Sequence, residues 1–193
     1  MARNKEFDEK VVLKKAMDLF WKQGYEKTSM QDLVTHMGIH RRSIYDTFGD
    51  KHSLFLASLK YYELFVTKEW TTIISNSSTV KNAIRKIFEH VVKVAELEIY
   101  PAGCFSVNTA VELSLLDKDI QHLTTKMFND TEELFNKLLK EGQDKGEFKN
   151  DLNTQITAQF LHNNLIGIRV LVKTNYTKKE LESIIDLMMK VLE

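Results

Sequence analysis

The residues best suited to chemistry lie between Thr28 and Lys51, where basic, hydroxyl and amide side chains alternate with apolar ones. Two neighbouring arginines, Arg41 and Arg42, stand shortly after a glycine at position 38. A guanidinium group can donate two parallel hydrogen bonds to guanine O6 and N7, or it can hold phosphate oxygens. The chemistry predicted for this segment is therefore recognition of nucleic acid, not the making or breaking of covalent bonds.

Two short helices joined by a tight turn must position these side chains. The first has an N-cap at Thr28 or Ser29, and each is followed three residues later by a side chain that can complete a capping box. Gly38 can adopt the left-handed backbone conformation that the turn requires. Residues 41–48 form the second helix, which begins with the arginines. A helix-turn-helix of this kind suits entry into a DNA major groove.

The segment from Gly38 to Lys51, GIHRRSIYDTFGDK, resembles the signature of the tetracycline-repressor (TetR/AcrR) family of bacterial transcription regulators. Upstream residues agree with the same family: Ala16, Leu19, Phe20, Gly24, Tyr25, Thr28, Ser29, Met30 and Leu33. The agreement lies in roughly the first third of the chain. His40 departs from the pattern, because the family usually has Ser or Thr there. We therefore expect a weaker N-cap on the second helix, or an additional contact to a base or phosphate.

The resemblance implies that one face of this segment contacts DNA. We expect the following residues to contribute: Thr28, Ser29, Gln31, His40, Arg41, Arg42, Ser43, Tyr45, Thr47 and Lys51. Lys51 begins the next helix and adds its charge to free N–H groups that can bind an anion. Capping alone would also explain Thr28 and Ser29, and packing alone would explain Tyr45.

Length and composition predict an all-α chain. One proline and seven glycines in 193 residues leave few helix breaks. We expect about nine helices, with a three-helix DNA-binding head at residues 1–50 and a larger helical body for effector binding and dimerisation at residues 51–193. No apolar run is long enough to cross a membrane and the N-terminus has no hydrophobic signal region, so we expect a cytoplasmic protein without membrane contact. The net charge of zero does not by itself indicate a polyanionic partner.

The last two helices are apolar on more than one side, which predicts a partner in addition to their own core. The family resemblance implies a homodimer in which two such pairs form a four-helix bundle. We expect this interface at Leu161, Ile168, Leu181, Ile185, Met188 and Leu192. The alternative is that both stripes are buried in the core of a monomer.

Polar residues interrupt apolar helices in the body, which favours a ligand cavity. We expect it to be lined by Trp70, Phe88, Phe105, Asn108, Glu112, Phe160, Asn163, Asn164 and Gly167. Such a set suits a small, largely hydrophobic effector, and Glu112 would meet a positive charge on it. The alternative is that Glu112 faces solvent and the asparagines bond to neighbouring backbone.

Other functional classes are disfavoured by the residues. The histidines lack the spacing of a zinc site, and we expect no metal and no other cofactor. The single cysteine, Cys104, excludes an internal disulfide, and it is either an oxidant sensor or inert packing. No catalytic triad order, phosphate loop or carboxylate pair is present, so we do not expect an enzyme.

The resemblance implies a DNA-binding transcriptional regulator, with repression as the family's usual mode and activation as the alternative. We expect it to bind a palindromic operator as a homodimer and to be released by a small effector. The alternative is a helical protein-interaction module that has no DNA function and keeps the helix-turn-helix for protein contacts.

Overall fold

The computed structural model describes residues 7–101 and 103–193, and within these ranges the chain forms nine α-helices, a terminal 3-10 turn and no strand. The helices are α1 Glu9–Gln23, α2 Met30–Met37, α3 Arg41–Phe48, α4 Lys51–Ser75, α5 Val80–Glu96, α6 Phe105–Leu113, α7 Lys118–Asp144, α8 Thr154–Leu171 and α9 Lys178–Met189. The predicted all-α class is confirmed. Residues 1–6 of the predicted head lie outside the described residues. We call α1–α3 the head and α4–α9 the body.

Side-chain caps explain where the helices begin. Ser29 caps α2 and forms a capping box with Asp32, while Thr177 does the same for α9 with Glu180. The Asp50 carboxylate accepts a hydrogen bond of 2.7 Å from the backbone N–H of Ser53 at the start of α4. These caps satisfy N–H groups that the first helical turn leaves unpaired. They are local signals, which is why the sequence predicted these helix starts correctly.

Two hydrophobic clusters fill the interior. The first joins the head to the start of α4, to α6 and to the start of α7, and Phe20, Phe55 and Phe105 lie at its centre. The second packs the end of α4 against α5, α7, α8 and α9. The first cluster contains residues on both sides of the predicted boundary at residue 50. The head therefore shares its core with the body.

The residues predicted for the dimer interface all belong to the interior of a single protomer. None is more than 3% exposed: Leu161, Ile168, Leu181, Ile185, Met188 and Leu192. They lie in the second cluster, where α8 and α9 pack against α5 and α7. These side chains cannot form a surface for a partner, so this assignment is corrected.

A second stripe, on α8, α9 and the terminal 3-10 turn, is exposed. Its large apolar side chains are between 40% and 69% exposed: Ile156, Phe160, Val170, Leu187 and Val191. With Asn163 and Gly167, which lie between them on α8, we call this stripe the outer face. None of the helices in the described part of the chain is long and apolar enough to cross a membrane.

Close packing at Gly142 gives a stability prediction. A Cβ added at this position in α7 would overlap the ring of Phe148, which is 5% exposed. We expect Gly142→Ala to lower the free energy of unfolding by about 1–3 kcal/mol, because an overpacked core must shift side chains or backbone. Chemical denaturation of the variant measures this change.

The double variant Gly142→Ala/Phe148→Leu is the control, because the smaller side chain makes room for the added methyl. We expect it to be more stable than the sum of the two single changes by about 0.5–3 kcal/mol. Strict additivity of the two changes would contradict the overlap.

Candidate nucleic-acid interface

The turn between α2 and α3 has the geometry that the sequence predicts. Gly38 lies in the left-handed region at φ 72° and ψ 30°, and its N–H donates to the Val34 carbonyl at 3.0 Å. His40 occupies the N-cap position of α3 and makes no side-chain capping hydrogen bond. The weak cap that we expected from the departure at His40 is thus confirmed. The first N–H groups of α3 have no side-chain acceptor from His40, so that end of the helix can accept an anion.

The head carries an exposed polar surface at the start of α3. Gln31, His40, Arg41 and Arg42 are exposed, whereas Ser43 and Thr47 are half-buried. The Arg42 side chain is 88% exposed, and its Nε lies 3.5 Å from an Asp46 carboxylate oxygen. An exposed pair of this kind contributes little stability, so the guanidinium can exchange this partner for a phosphate or a base.

Tyr45 and Arg41 form a second pair on this surface. The Arg41 guanidinium lies 5.9 Å from the centre of the Tyr45 ring, and Tyr45 is 42% exposed. A cation held over an aromatic ring keeps its hydrogen-bond donors free at the ring edge. The pair leaves the arginine available to DNA and holds it near one orientation.

Three other predicted contacts have partners within the chain. Thr28 is fully buried and its hydroxyl donates to the Gly24 carbonyl at 2.6 Å, so its assignment to DNA is corrected. Ser29 is exposed, and its hydroxyl forms hydrogen bonds with the Asp32 carboxylate and backbone N–H. Ser29 is therefore the N-cap of α2. Lys51 is half-buried, with its ammonium 4.2 Å from the centre of the Tyr25 ring.

Glu112 joins the body to the head. Its carboxylate accepts hydrogen bonds from the backbone N–H groups of Tyr25 and Glu26, at 3.2 and 3.0 Å. Gly24 has φ 82°, and a Cβ there would lie 2.8 Å from a carboxylate oxygen of Glu112. The glycine allows this close approach. The predicted role of Glu112 in an effector cavity is corrected, because its acceptor atoms serve the turn after α1.

A second polar contact links α4 to α7. His52 Nε2 lies 2.8 Å from an Asp117 carboxylate oxygen, and the same carboxylate caps α7 by accepting from the N–H groups of Asp119 and Ile120. The bond from the Ile120 N–H, followed by the nearby His52, lowers the pKa of Asp117 in spite of its partial burial. Possible metal-ligand atoms of His52, Asp117 and Asp119 lie within 4.8 Å of one another. The capping bonds already account for the position of Asp117.

Two cavities lie on either side of a common wall in the body. The wall consists of Tyr62, Val66, Trp70 and Arg169, which line both. The larger cavity, about 380 Å³, lies between α4 and α7. The smaller, about 50 Å³, is bounded by α1, α4, α5 and α8. Among the residues predicted for the effector site, Trp70 lines both cavities.

The other predicted effector residues lie elsewhere in the described structure. Phe88 and Phe105 are at most 1% exposed in the two cores. Asn108 accepts a hydrogen bond from the Lys173 side chain. The Asn164 amide donates to the Phe160 carbonyl, as in the alternative in which the asparagines bond to neighbouring backbone. The remaining three lie on the outer face of α8: Phe160, Asn163 and Gly167. Helical spacing identified these polar positions but could not tell the inner side of α8 from the outer side.

Arg169 is a cavity residue that sequence reasoning missed. It is 6% exposed, and its guanidinium lies 5.3 Å from the centre of the Trp70 ring. An arginine in the last turn of a helix usually faces solvent and interacts with the helix dipole, so its position alone does not select it as a cavity residue. The available signal was its place beside Ile168, within an otherwise apolar stripe.

Cys104 lies buried beside this wall. Its Sγ is 3.1 Å from both the Tyr62 hydroxyl and the Ser106 hydroxyl. Burial raises the pKa of the thiol, but the Arg169 charge and hydrogen bonds from Ser106, Tyr62 and the Val107 N–H lower it by more. The pKa of Cys104 therefore lies below its ordinary value.

The contact between Glu112 and the head gives a second prediction. Glu112→Ala leaves two backbone N–H groups without their carboxylate acceptor, and we expect a loss of about 1–3 kcal/mol in the free energy of unfolding. Hydrogen exchange of the Tyr25 and Glu26 amides should accelerate in the same variant. Glu141→Ala is the matched control, because this carboxylate only pairs with Lys145 on the surface of α7. Equal losses in both variants would contradict the linking role of Glu112.

Comparisons with known proteins agree over the whole chain. Residues 12–58 match the bacterial regulatory proteins of the tetR family, and residues 81–188 match the tetracyclin repressor-like C-terminal domain. The uncharacterized HTH-type transcriptional regulator YezE of Bacillus subtilis (strain 168) is 31% identical, with 100% of both chains covered. The HTH-type transcriptional repressor ComR of Escherichia coli (strain K12) is 30% identical over 94% of this chain and 87% of its own.

Solved structures share the fold. A cysteine mutant of the TetR family transcriptional regulator CifR, complexed with 26bp double-strand operator DNA, superposes with a TM-score of 0.90 at 22% identity. The match covers 99% of this chain and 100% of that one. The helix-turn-helix, the nine helices of the described residues and the full-length relatives lead to one conclusion: the chain belongs to the TetR family of bacterial transcriptional regulators.

Proposed function

We propose that this chain is a repressor that binds a palindromic operator as a homodimer and is released by a small effector. The observation that carries the proposal is the exposed surface at the start of α3, where Arg41 and Arg42 follow the turn fixed by Gly38. The relative ComR is named a transcriptional repressor, which supports repression as the mode of action. Such a protein acts on DNA in the cytoplasm as a regulator, not as an enzyme.

DNA contact is assigned first to exposed groups. Arg41, Arg42, His40 and Gln31 have side chains free to reach base edges or phosphates. Tyr45 supports Arg41, and the uncapped start of α3 presents N–H groups to a phosphate. Ser43 and Thr47, which are half-buried on the same helix, contact the backbone of the duplex from its edge.

The outer face is proposed as the dimer interface. Exposed apolar residues recur along one side of α8 at positions 156, 160 and 170, and the others lie at 187 in α9 and at 191 in the 3-10 turn that follows it. A Cβ added at Gly167 would meet nothing within 4 Å in the protomer, although a glycine inside a helix costs about 1 kcal/mol relative to alanine. Nothing in the protomer requires a glycine here, whereas close approach of a second α8 would require a residue without a side chain.

A dimer related by a two-fold axis presents two α3 helices to one side of the DNA. Half-sites about one helical turn apart, roughly 34–36 Å, fit such a pair. The effector binds beside the wall that the two cavities share. Three residues of this wall belong to α4: Tyr62, Val66 and Trp70. Because α4 begins in the core of the head, a shift of this wall changes the separation of the two heads.

The DNA interface is tested by three variants. Arg41→Ala and Arg42→Ala should each weaken operator binding by about 1–3 kcal/mol, and base preference should relax if the arginine reads a base. Lys51→Ala should weaken all sequences alike and reduce the salt slope by about 1. Fluorescence anisotropy with a genomic fragment retained by the protein, measured at several salt concentrations, gives both quantities.

Lys140→Ala is the control for loss of charge alone, because Lys140 is exposed on α7 away from the helix-turn-helix. It should leave affinity and salt slope unchanged. The proposal fails if the arginine variants bind operator as tightly as the parent protein, or if the control loses as much affinity as they do.

The dimer interface is tested by placing a charge on the outer face. Phe160→Asp buries an unpaired carboxylate between two α8 helices, which costs several kcal/mol and should separate the protomers. The melting temperature of the protomer should change little, because Phe160 is 41% exposed. Light scattering measures the mass of the particle in solution and so distinguishes monomer from dimer. Operator affinity should fall when the dimer dissociates.

Val111→Asp is the matched control, since Val111 is 85% exposed on α6 and lies outside the outer face. It should leave the dimer intact. A dimeric Phe160→Asp variant, or a Val111→Asp variant that dissociates equally, would place the interface elsewhere.

A further inference from the structure

We propose that the effector is an organic anion, a carboxylate on a small flat apolar body, bound by Arg169 in the smaller cavity. The inference rests on the ligand-responsive regulation proposed above and gives the chemical class of the ligand. It reverses the expectation from the sequence, which assigned a positive charge to the effector on account of Glu112. Glu112 bonds to the head, and the charged side chain that lines both cavities is a cation, Arg169.

The first argument is a buried charge without a counter-ion. Arg169 is 6% exposed, and in the described part of the chain its guanidinium has the Trp70 ring as a partner but no carboxylate and no hydrogen-bond acceptor. A buried cation is unfavourable unless it is paired and hydrogen-bonded. A bound carboxylate would supply two acceptor oxygens that match the two-pronged guanidinium.

The second argument is a donor on the same cavity wall. Trp21 is 7% exposed and lines the smaller cavity, and its indole N–H is buried without an acceptor among the described residues. Buried donors in native structures nearly always have a partner. Arg169 and Trp21 can only donate, so a ligand that satisfies both must present acceptors.

The remaining walls define the body of the ligand. Tyr62, Val66 and Tyr100 offer aromatic and aliphatic surface. Glu69 also lines this cavity, and a carboxylate oxygen of Glu69 lies 3.3 Å from His90 Nε2. Burial lowers the pKa of His90, so its imidazole is neutral near pH 7 and Glu69 is one anion in the cavity beside the Arg169 cation. The volume of about 50 Å³ is smaller than the cavity of about 150 Å³ that holds benzene, so a flat ring fits only when the wall shared with the larger cavity moves outward.

The larger cavity fits an anion less well. Glu63, Asp130, Glu133 and Lys137 line it, and Lys137 pairs with Glu133 at 3.3 Å. Lys126 lies between two of them, 2.9 Å from Glu63 and 2.6 Å from Asp130, and already pairs with both. The lysines at the larger cavity already have carboxylate partners, whereas the Trp21 N–H in the smaller cavity has no acceptor among the described residues, so the smaller cavity is the better site for a carboxylate.

The location of the two donors links the ligand to regulation. Trp21 lies on α1 in the head, whereas Arg169 lies on α8 in the body. A carboxylate that bonds to both connects the two parts directly. Its affinity must then depend on how the head sits on the body, and by linkage it must alter operator affinity.

The chain supplies its own reporters for the test, because its two tryptophans are Trp21 and Trp70 and both line the cavity. Benzoate, phenylacetate and salicylate are titrated while tryptophan emission and melting temperature are recorded. Benzamide, phenylacetamide and benzylamine serve as neutral and cationic matches of similar shape. We expect saturable binding of at least one carboxylate, with the amides and the amine at least about tenfold weaker.

Three variants connect the binding to the named residues. Arg169→Met should weaken the carboxylate at least about tenfold while the ligand-free melting temperature stays level or rises, because an unpaired buried charge has been removed. Trp21→Phe removes the N–H donor, keeps the ring and leaves Trp70 as reporter, and should weaken binding about two- to tenfold. Cys104→Ser should leave the affinity within about twofold.

Several results would overturn the proposal. They are binding of the amine or amides as tight as that of the acids, no response to any carboxylate, or a sharp fall in the ligand-free melting temperature of Arg169→Met. A tenfold change in Cys104→Ser would identify the thiolate as the partner of Arg169 and would also overturn it. Operator binding is measured on the same samples, so a protein that retains operator but ignores carboxylates refutes this inference and keeps the proposed function.

Discussion

The packing of α1 against α4 is the constraint on which the rest of the structure depends. Phe20 of α1 meets Phe55 of α4 edge to face at 4.9 Å, and Phe55 meets Phe105 of α6 at 5.5 Å. Each of these rings is at most 1% exposed. Interiors packed at this density transmit a displacement instead of absorbing it. The head therefore cannot turn on the body without moving α4, which continues to Trp70 in the cavity wall.

The sequence predicted the head accurately because its signals are local. Ser29 with Asp32, Asp50 at the start of α4, and Gly38 in the turn each act within a few residues. The choice between Thr28 and Ser29 as cap remained open, since both have suitable spacing. In the structure the Thr28 hydroxyl donates a hydrogen bond to the Gly24 carbonyl, and Ser29 is therefore the cap.

The body was harder to predict, because an apolar stripe on a helix does not show which surface packs against it. Helical periodicity found apolar residues on two sides of α9, with Ile185 on one side and Leu187 on the other. It could not tell which stripe the protomer buries, and the structure shows Ile185 fully buried and Leu187 69% exposed. The same uncertainty placed Phe160 in a cavity. Tertiary packing decides these cases, and no local signal reports it.

Charged residues show most clearly what local sequence cannot predict, because their roles depend on which groups the tertiary structure brings near them. Glu112 bonds to a turn far away in the sequence, and Arg169 is buried against Trp70. The two hydrogen bonds to Glu112 are charge-assisted, and such bonds contribute about 1.5–3 kcal/mol each when protected from water. Glu112 is only half-buried, so the lower part of that range applies. Coupling between two sites in regulatory proteins is typically about 1–3 kcal/mol. The contact between α6 of the body and the turn after α1 is therefore of the same size as a regulatory coupling.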